Sequence, residues 1–249
     1  DIENCSTIYS NVFGICNNPN YINCKNLQSI NAKNCKLVDG NAFQQLSNLK
    51  YVNIENCTAI GTGAFSRCKS LQSVKISKKI TIGEHAFYDC NILSDIDLNK
   101  CLIGSYAFKN CRSLTNVNLN SCIQINSRAF DGCIGLKEIS LNMMRIGSYA
   151  FYNCKNLNKV YIKTENVIPI GKSVFYNNDK IISNLKIYLQ PGTKKSYSDE
   201  PNWKEYLNYL VKIKLYTQPI IIQKLVVQNQ MVLLMLLERA LKVKMLQVQ

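Results

Sequence analysis

The chain has 249 residues, 47% of them hydrophobic and 18% charged, and 30 Lys and Arg against 16 Asp and Glu give a net charge of +14. This composition excludes a disordered chain, and no uninterrupted apolar run reaches the roughly 20 residues of a membrane span. The single histidine, His85, would have to be the base of any Ser-His or Cys-His pair, which disfavours most enzyme classes. The chain starts at Asp1 without a basic or apolar leader, so no signal peptide is expected within it.

A unit of 21 or 22 residues repeats along most of the chain. An aliphatic residue stands five positions before each phenylalanine and is usually followed by Gly. Leu comes six positions after the phenylalanine, a β-branched residue nine positions after it, and Ile or Leu eleven positions after it. The alternation at the end of the unit predicts a short strand with one buried face, and Gly-x-x-Ala-Phe-x-x-Cys predicts a turn. The phenylalanines that mark the units are Phe13, Phe43, Phe65, Phe87, Phe108, Phe130, Phe151 and Phe175.

A unit of this length cannot bury its Phe, Leu, Val and Ile side chains alone, so neighbouring units must stack. We therefore predict an α/β-type repeat solenoid dominated by short parallel strands that join in one long sheet. Eight rungs at a spacing of about 4.7–4.9 Å would span roughly 40 Å. The longer interval between Phe13 and Phe43 centres on residues 17–21, a loop composition that should bulge from the first unit.

The string Gly-x-x-Ala-Phe-x-x-Cys-x-x-Leu-x-x-Val-x-Ile, as in residues 83–98 and 104–119, resembles the BspA-type leucine-rich repeat from about residue 8 to 187. The resemblance implies a right-handed leucine-rich repeat solenoid with a C-terminal capping helix. Members of that family are largely surface proteins of bacteria or protists that act in adhesion and partner binding. The resemblance therefore implies that this chain is a non-catalytic protein-binding module, located at the cell surface or secreted.

We expect the solenoid to occupy residues 1–189, a cap residues 190–215 and a tail of different composition residues 216–249. Residues 199–201 predict the start of a helix, and residues 191–197 resemble the terminal segment of the family. One face of this helix would cover the last unit with Trp203, Tyr206, Leu207 and Leu210. The alternative is an aromatic cluster that binds a ligand. The tail could pack on the solenoid end, contact a partner or lie on a membrane surface, and membrane association is expected through this tail alone.

Ten of the twelve cysteines fall into two columns of the repeat. Adjacent rungs place their side chains in parallel, whereas a disulfide needs Cβ atoms about 3.8 Å apart that point at each other. We therefore predict small buried hydrophobic residues rather than a metal or redox site. The columns are Cys68, Cys90, Cys111, Cys133 and Cys154, and Cys5, Cys35, Cys57, Cys101 and Cys122. Cys16 and Cys24 flank the loop and are the one candidate for a bridge. His85 occupies a position that holds Gly, Tyr or Arg in other units, so we predict an exposed turn residue.

Residues eight, ten and twelve positions after each phenylalanine must point away from the core. This surface is polar and rich in Asn, which suits hydrogen-bonded recognition of an extended protein with tyrosines as anchors. The predicted partner-binding residues are Tyr51, Asn53, Lys75, Asp95, Asp97, Asn116, Asn118, Asn120, Glu138, Lys159, Tyr161 and Lys163. A merely solvated surface and binding by the loop around Tyr21 are the alternatives. The spacing of the two Asp residues does not match a calcium loop.

The net charge raises a second hypothesis, a repeat protein that binds polyanions or nucleic acid. The lysines scatter over many repeat positions and do not alternate with aromatic residues on the strand surface, which disfavours it. No catalytic, cofactor-binding or phosphate-binding motif accompanies the single histidine, so an enzyme is the weakest hypothesis. We expect a protein partner that the sequence does not identify, and no cofactor or small-molecule substrate.

Overall fold

A computed structural model describes residues 5–13, 24–77 and 79–212. Cys16, the predicted loop around Tyr21 and the 216–249 tail lie outside the described residues. In chain order the strands are β1 (Thr7–Ile8), β2 (Ser29–Asn31), β3 (Leu37–Val38), β4 (Tyr51–Ile54), β5 (Ala59–Ile60), β6 (Ser73–Ile76), β7 (Thr81–Ile82), β8 (Asp95–Ile96), β9 (Leu102–Ile103), β10 (Asn116–Val117), β11 (Gln124–Ile125), β12 (Glu138–Leu141), β13 (Arg145–Ile146), β14 (Lys159–Ile162), β15 (Tyr176–Asn177), β16 (Lys180–Ile181), β17 (Lys186–Leu189) and β18 (Leu210–Lys212). The helices are a 3₁₀ turn at Cys24–Asn26, α1 at Lys194–Ser198 and a 3₁₀ helix at Pro201–Tyr209.

Most units contribute two strands instead of the one predicted. The second is a two-residue strand that ends at the aliphatic residue five positions before the phenylalanine, and seven of these form a parallel sheet from β1 to β13. Two residues are too few to show the alternation that reveals a strand in the sequence. The glycine that follows allows close stacking, because a Cβ on Gly104 would lie 2.7 Å from the Gly83 carbonyl carbon. The aliphatic residues are buried from Ile8 to Ile170, so their predicted core role is confirmed.

The outer strands form two parallel sheets, so the prediction of one long sheet is wrong. Strands β2, β4, β6, β8 and β10 pair in one sheet, and β12, β14, β17 and β18 pair in another. The interruption lies between β10 and β12, next to two rungs in which the strand has shortened to two residues. There the side chains of Asp97 and Asn118 accept hydrogen bonds from the backbone N–H groups two residues later, which closes the bend after each short strand.

The phenylalanines of successive units stack face to face inside the turns. Neighbouring ring centroids are 5.1–5.8 Å apart and the ring planes differ by at most 14°. From Phe43 to Phe175 the side chains are fully buried, as predicted. Phe13 is only partly buried, so the prediction of burial in every unit is wrong at the first unit, where the ring stack ends.

The turns are hydrogen-bonded from rung to rung, which makes them part of the scaffold rather than loops. Phe65 N donates to Ala86 O at 2.8 Å, and Phe108 N donates to Ala129 O at 2.7 Å. The residues two positions before and two positions after the phenylalanine adopt left-handed backbone, for example Tyr106 at φ 56° and Arg67 at φ 61°. Non-glycine residues there cost about 1–2 kcal/mol each, and the bonds between rungs offset this cost.

The cysteine columns are buried, and their thiols serve as hydrogen-bond donors. Cys68 Sγ donates to Phe43 O and Cys133 Sγ to Phe108 O, each at 3.0 Å, and the other members of this column repeat the contact. The predicted burial is confirmed in both columns except at Cys5, which lies exposed in the first unit. The ten cysteines of the two columns are free thiols. Desolvation by burial raises the pKa of Cys68 to about 12.

The C-terminal cap covers the last unit with buried aromatic side chains. Trp203 and Tyr206 are fully buried and lie three positions apart, the period of the 3₁₀ helix. Trp203 Nε1 donates to Ile168 O at 2.7 Å, and Tyr206 OH accepts from Phe175 N at 3.3 Å. These bonds satisfy backbone groups of the last unit, so the aromatic cluster caps the solenoid. The helix begins at Pro201 as predicted, but Leu210 belongs to β18, which pairs with β17.

Candidate binding face

The outward residues of the outer strands form what we call the strand face. It consists of the residues eight, ten and twelve positions after the phenylalanine in the units that contain β4, β6, β8, β10, β12 and β14, of which the last lies in the bend after the strand, together with Lys186 and Tyr188 on β17. Within β4, β12 and β14 these positions are exposed or partly buried and alternate with buried ones. Because the rungs are in register, like positions lie side by side, for example Glu138 beside Lys159.

A groove of about 340 Å³ opens in the middle of the strand face, where the two outer sheets separate. It brings together five predicted partner-binding residues, Asp95, Asp97, Asn118, Asn120 and Glu138, with Ser140 beside them. Asn116 lies in β10 opposite Asp95 in the register. Three carboxylates in one groove give it an acidic character on a chain whose net charge is +14.

The side chain ten positions after the phenylalanine also forms a turn, a role that the repeat pattern does not predict. Asn53, Asp97 and Asn118 accept backbone hydrogen bonds from the residues two positions later, at 3.1–3.3 Å. These oxygens close the bend that follows the strand. The preference for Asn and Asp at this position therefore reflects turn formation as well as surface polarity.

At the N-terminal side of the groove the predicted residues are tied to neighbouring rungs. Tyr51 is half exposed, and its hydroxyl donates to Gln72 Oε1 at 2.9 Å. Asn53 Nδ2 donates to Asn31 Oδ1 at 3.1 Å, and Lys75 forms an ion pair with Glu55. This region is therefore a hydrogen-bonded surface with compensated charge.

At the C-terminal side, tyrosines and lysines alternate. Tyr161 stacks on Tyr188 with ring centroids 4.9 Å apart, and Lys163 Nζ lies 5.2 Å from the centre of the Tyr161 ring. The prediction that aromatic and basic residues do not alternate on the strand face is wrong here. Lys159 Nζ lies 3.6 Å from Glu138 Oε2, which joins this basic end to the acidic groove. Tyr188 was missed, although residues 186–189 repeat the alternation of residues 159–162.

A second row of functional groups runs along the Phe turns, and sequence reasoning missed it. His85 lies in the predicted turn with its side chain 39% exposed, and its ring stacks on Tyr106 at 4.8 Å with planes 3° apart. Arg128 lies 4.4 Å over the ring of Tyr149. The sequence could have indicated this row, because four successive units carry a large flat side chain two positions before the phenylalanine. We call this row, which comprises the residues two positions before and one position after each phenylalanine, the turn ridge.

A buried carboxylate lies within the turn ridge. Asp131 is 3% exposed and accepts from Lys109 Nζ at 2.9 Å and from Arg128 Nη1 at 3.0 Å. Two cations compensate one desolvated carboxylate, and the geometry fixes both long side chains against the tyrosine rings. Lys109 also lies 5.6 Å from the centre of the Tyr106 ring.

Over residues 5–13, 24–77 and 79–212, no helix has the length and hydrophobicity to cross a membrane. In the same part of the chain, no three His, Cys, Asp or Glu side chains are grouped so that they could hold a metal ion.

Three solved structures similar to the chain are leucine-rich repeat proteins. One from Bacteroides ovatus is 24% identical, covers 68% of this chain and 57% of its own length, and has a TM-score of 0.48. A leucine rich cell surface protein of Faecalibacterium prausnitzii is 29% identical with 63% and 42% coverage and a TM-score of 0.50. The leucine rich repeat protein of T. pallidum is 19% identical with 61% and 73% coverage and a TM-score of 0.46. The chain thus spans 57% and 42% of the first two relatives' own lengths.

No curated protein matches the sequence significantly. The profile described as BspA type leucine rich repeat region matches in six copies, over residues 2–102 and 101–195. These residues account for most of the chain, and the described part of the same range shows the stacked units. The protein therefore belongs to the BspA-type leucine-rich repeat family.

Proposed function

We propose that this protein is a non-catalytic scaffold at the cell surface or in the secreted state, and that its strand face binds an extended segment of a protein partner. The family and fold are typically non-catalytic scaffolds. The relative from F. prausnitzii is described as a cell surface protein, which supports the location for this chain.

The observation that carries the proposal is the acidic groove at the break between the two outer sheets. A partner segment laid across β8, β10 and β12 would meet carboxylates and amides on rungs whose spacing the core fixes. Asp95 has no ion-pair partner among the described residues, whereas Glu138 is engaged by Lys159. A segment that carries Lys or Arg would supply the missing positive charge and add charge-assisted hydrogen bonds.

The basic end of the strand face does not favour nucleic acid as the partner. Bases bind to single-strand-binding proteins by stacking on free aromatic faces. One face of Tyr161 is covered by Tyr188, and Lys163 lies over the ring as well. The stack instead offers ring edges and lysine ammonium groups at the rim of the groove, a composition that suits a protein segment with polar and acidic flanks.

The experiment is a binding panel of purified extracellular-matrix proteins against the immobilised full chain at physiological salt. We expect at least one specific ligand, whose binding falls about tenfold or more in Asp95→Lys, because the substitution reverses the charge of the groove. The matched control is Asp179→Lys, the same substitution at an exposed carboxylate away from the strand face. A ligand that binds both variants equally would contradict the proposal, as would a panel without any ligand. Retention on heparin that collapses with salt, together with no protein ligand, would favour polyanion binding instead.

A further inference from the structure

The sequence contains two Asn-x-Ser/Thr triplets whose middle residue is not proline, at residues 4–6 and 56–58. In proteins that pass through a secretory pathway, this triplet is the acceptor of an N-linked oligosaccharide. A pattern of three residues also recurs by chance, so the place of the asparagine in the fold decides whether it can carry a glycan. Asn4 lies outside the described residues, whereas the triplet at residues 56–58 is described throughout.

Asn56 occupies a turn that the core holds from one side. Strand β4 ends at Ile54, and Cys57 N donates to Ile54 O at 3.0 Å, which closes a β-turn at the end of the strand. Cys57 is fully buried, and its Sγ donates to Ala59 O at 2.9 Å. Asn56 and Thr58, on either side of this cysteine, are exposed. The acceptor side chain is therefore presented to solvent on backbone that the buried cysteine keeps in place.

The amide of Asn56 is not used by the fold. Other asparagines join neighbouring rungs through their side chains, since Asn53 Nδ2 donates to Asn31 Oδ1 at 3.1 Å and Asn156 Nδ2 donates to Ile134 O at 2.7 Å. Within the described part of the chain, the Asn56 side chain has no hydrogen-bond partner. Replacement of one of its N–H hydrogens by a sugar therefore breaks no bond of the scaffold.

The neighbouring rung contains a matched position that lacks the triplet. The register of β2 with β4 and of β3 with β5 places Asn34 beside Asn56 at the same corner. Asn34 is also exposed and also precedes a buried cysteine, and Cys35 N donates to Ala32 O at 2.9 Å in the same kind of turn. The next residue there is Lys36 instead of threonine. The two corners thus differ in the third residue of the triplet, whose hydroxyl group the transferring enzyme requires.

We propose that Asn56 is the acceptor of an N-linked oligosaccharide, a modification that rests on the proposed location outside the cell and not on the strand-face partner. The donor is an oligosaccharide linked to a lipid pyrophosphate, and an oligosaccharyltransferase transfers it. The bond between the anomeric carbon and the pyrophosphate oxygen breaks, a bond from that carbon to Asn56 Nδ2 forms, and Nδ2 loses one proton to a base of the transferase. The lipid pyrophosphate is the leaving group.

The test is site-resolved mass spectrometry of the full chain secreted from insect cells behind a cleavable signal peptide. Treatment with peptide N-glycosidase in heavy-oxygen water converts each glycosylated asparagine into a labelled aspartate, so occupancy is read separately at each asparagine. We expect the label at Asn56 in most of the secreted molecules. Thr58→Ala should abolish it, because the hydroxyl group is lost, and Thr58→Ser should retain it.

Lys36→Thr is the matched control on the adjacent rung. Asn34 should carry no glycan in the parent and should gain one in this variant, because both corners have an exposed asparagine on the same kind of turn. An unlabelled Asn56 in the secreted parent overturns the proposal, and so does a label at Asn56 that survives Thr58→Ala. Because the signal peptide is supplied, either result concerns the acceptor site alone, whereas the strand face is tested by the binding panel.

Discussion

On the turn side of each rung the same residues return, whereas on the strand face the residue changes from one rung to the next. Ala and Phe recur in the turns, and the residue ten positions later is Lys75, Asp97, Asn118, Ser140 or Tyr161. In the turns, each repeated side chain is buried against its own copy in the next unit. On the strand face the side chains reach solvent and contact neighbours of other types. The difference teaches that the repeated side chains of the turns stabilise the fold. Selective binding of a partner would have to use the side chains that differ from rung to rung.

The largest expected effect comes from breaking the ring stack. Phe108→Ala removes a fully buried ring that stacks on Phe87 and Phe130, and should lower the free energy of unfolding by about 3–5 kcal/mol. Urea unfolding followed by circular dichroism measures it. A loss below about 1 kcal/mol would show that the ring column does not carry the core.

Two cysteines of one column, one buried and one exposed, test how much a smaller buried side chain contributes to stability. Cys122→Ala should cost about 1–2 kcal/mol, because it removes a buried sulfur and the donor that bonds Cys101 O at 3.2 Å. Cys5 belongs to the same column but is exposed, so Cys5→Ala should leave stability within about 0.5 kcal/mol of the parent. Equal losses in the two variants would mean that thiol burial does not matter.

Ionisation of the buried thiols should also make the free energy of unfolding depend on pH in the alkaline range. Burial raises the pKa of Cys68 from about 9 to about 12, so the folded thiol stays protonated while the unfolded one ionises. The stabilisation is complete below pH 9 and is lost as the pH rises from 9 toward 12. Between pH 8 and pH 10 the parent should lose about 1 kcal/mol more than Cys68→Ala, since one pKa unit is 1.36 kcal/mol. Identical losses in urea unfolding would show that Cys68 does not contribute.

The smallest effect on stability is expected on the strand face. Asp95→Lys reverses the charge at an exposed position of a two-residue strand and should change the free energy of unfolding by less than about 0.5 kcal/mol. The measurement is the same urea titration. A loss of stability comparable to that of Phe108→Ala would contradict the distinction between stabilising side chains in the turns and solvent-exposed side chains on the strand face.

Sequence periodicity was sufficient for the repeat, its core columns and the outward positions, because each of these recurs at a fixed spacing. The second strand of each unit was missed because two residues such as Leu102–Ile103 cannot show an alternation. The break in the outer sheet lies where Asp97 and Asn118 accept hydrogen bonds from the backbone N–H groups two residues later. The same residue types at this position coexist with a full strand at Asn53, so residue type alone does not predict the break.

The sequence was enough to predict which residues of the candidate site face outward, but not that they would line a groove. Alternation identified which residues face outward, and the structure gathers five of the predicted residues in one groove. The groove itself results from a failure of pairing between β10 and β12, which composition does not encode.

Carboxyl labelling by a carbodiimide, read by mass spectrometry, tests most directly whether the strand face is the binding surface. The full chain is labelled alone and in complex with the extracellular-matrix protein it captures. We predict that Asp95, Asp97 and Glu138 lose labelling in the complex, while the exposed Asp179 and Glu165 keep theirs. Unchanged labelling of the three groove carboxylates in a saturated complex would contradict the account.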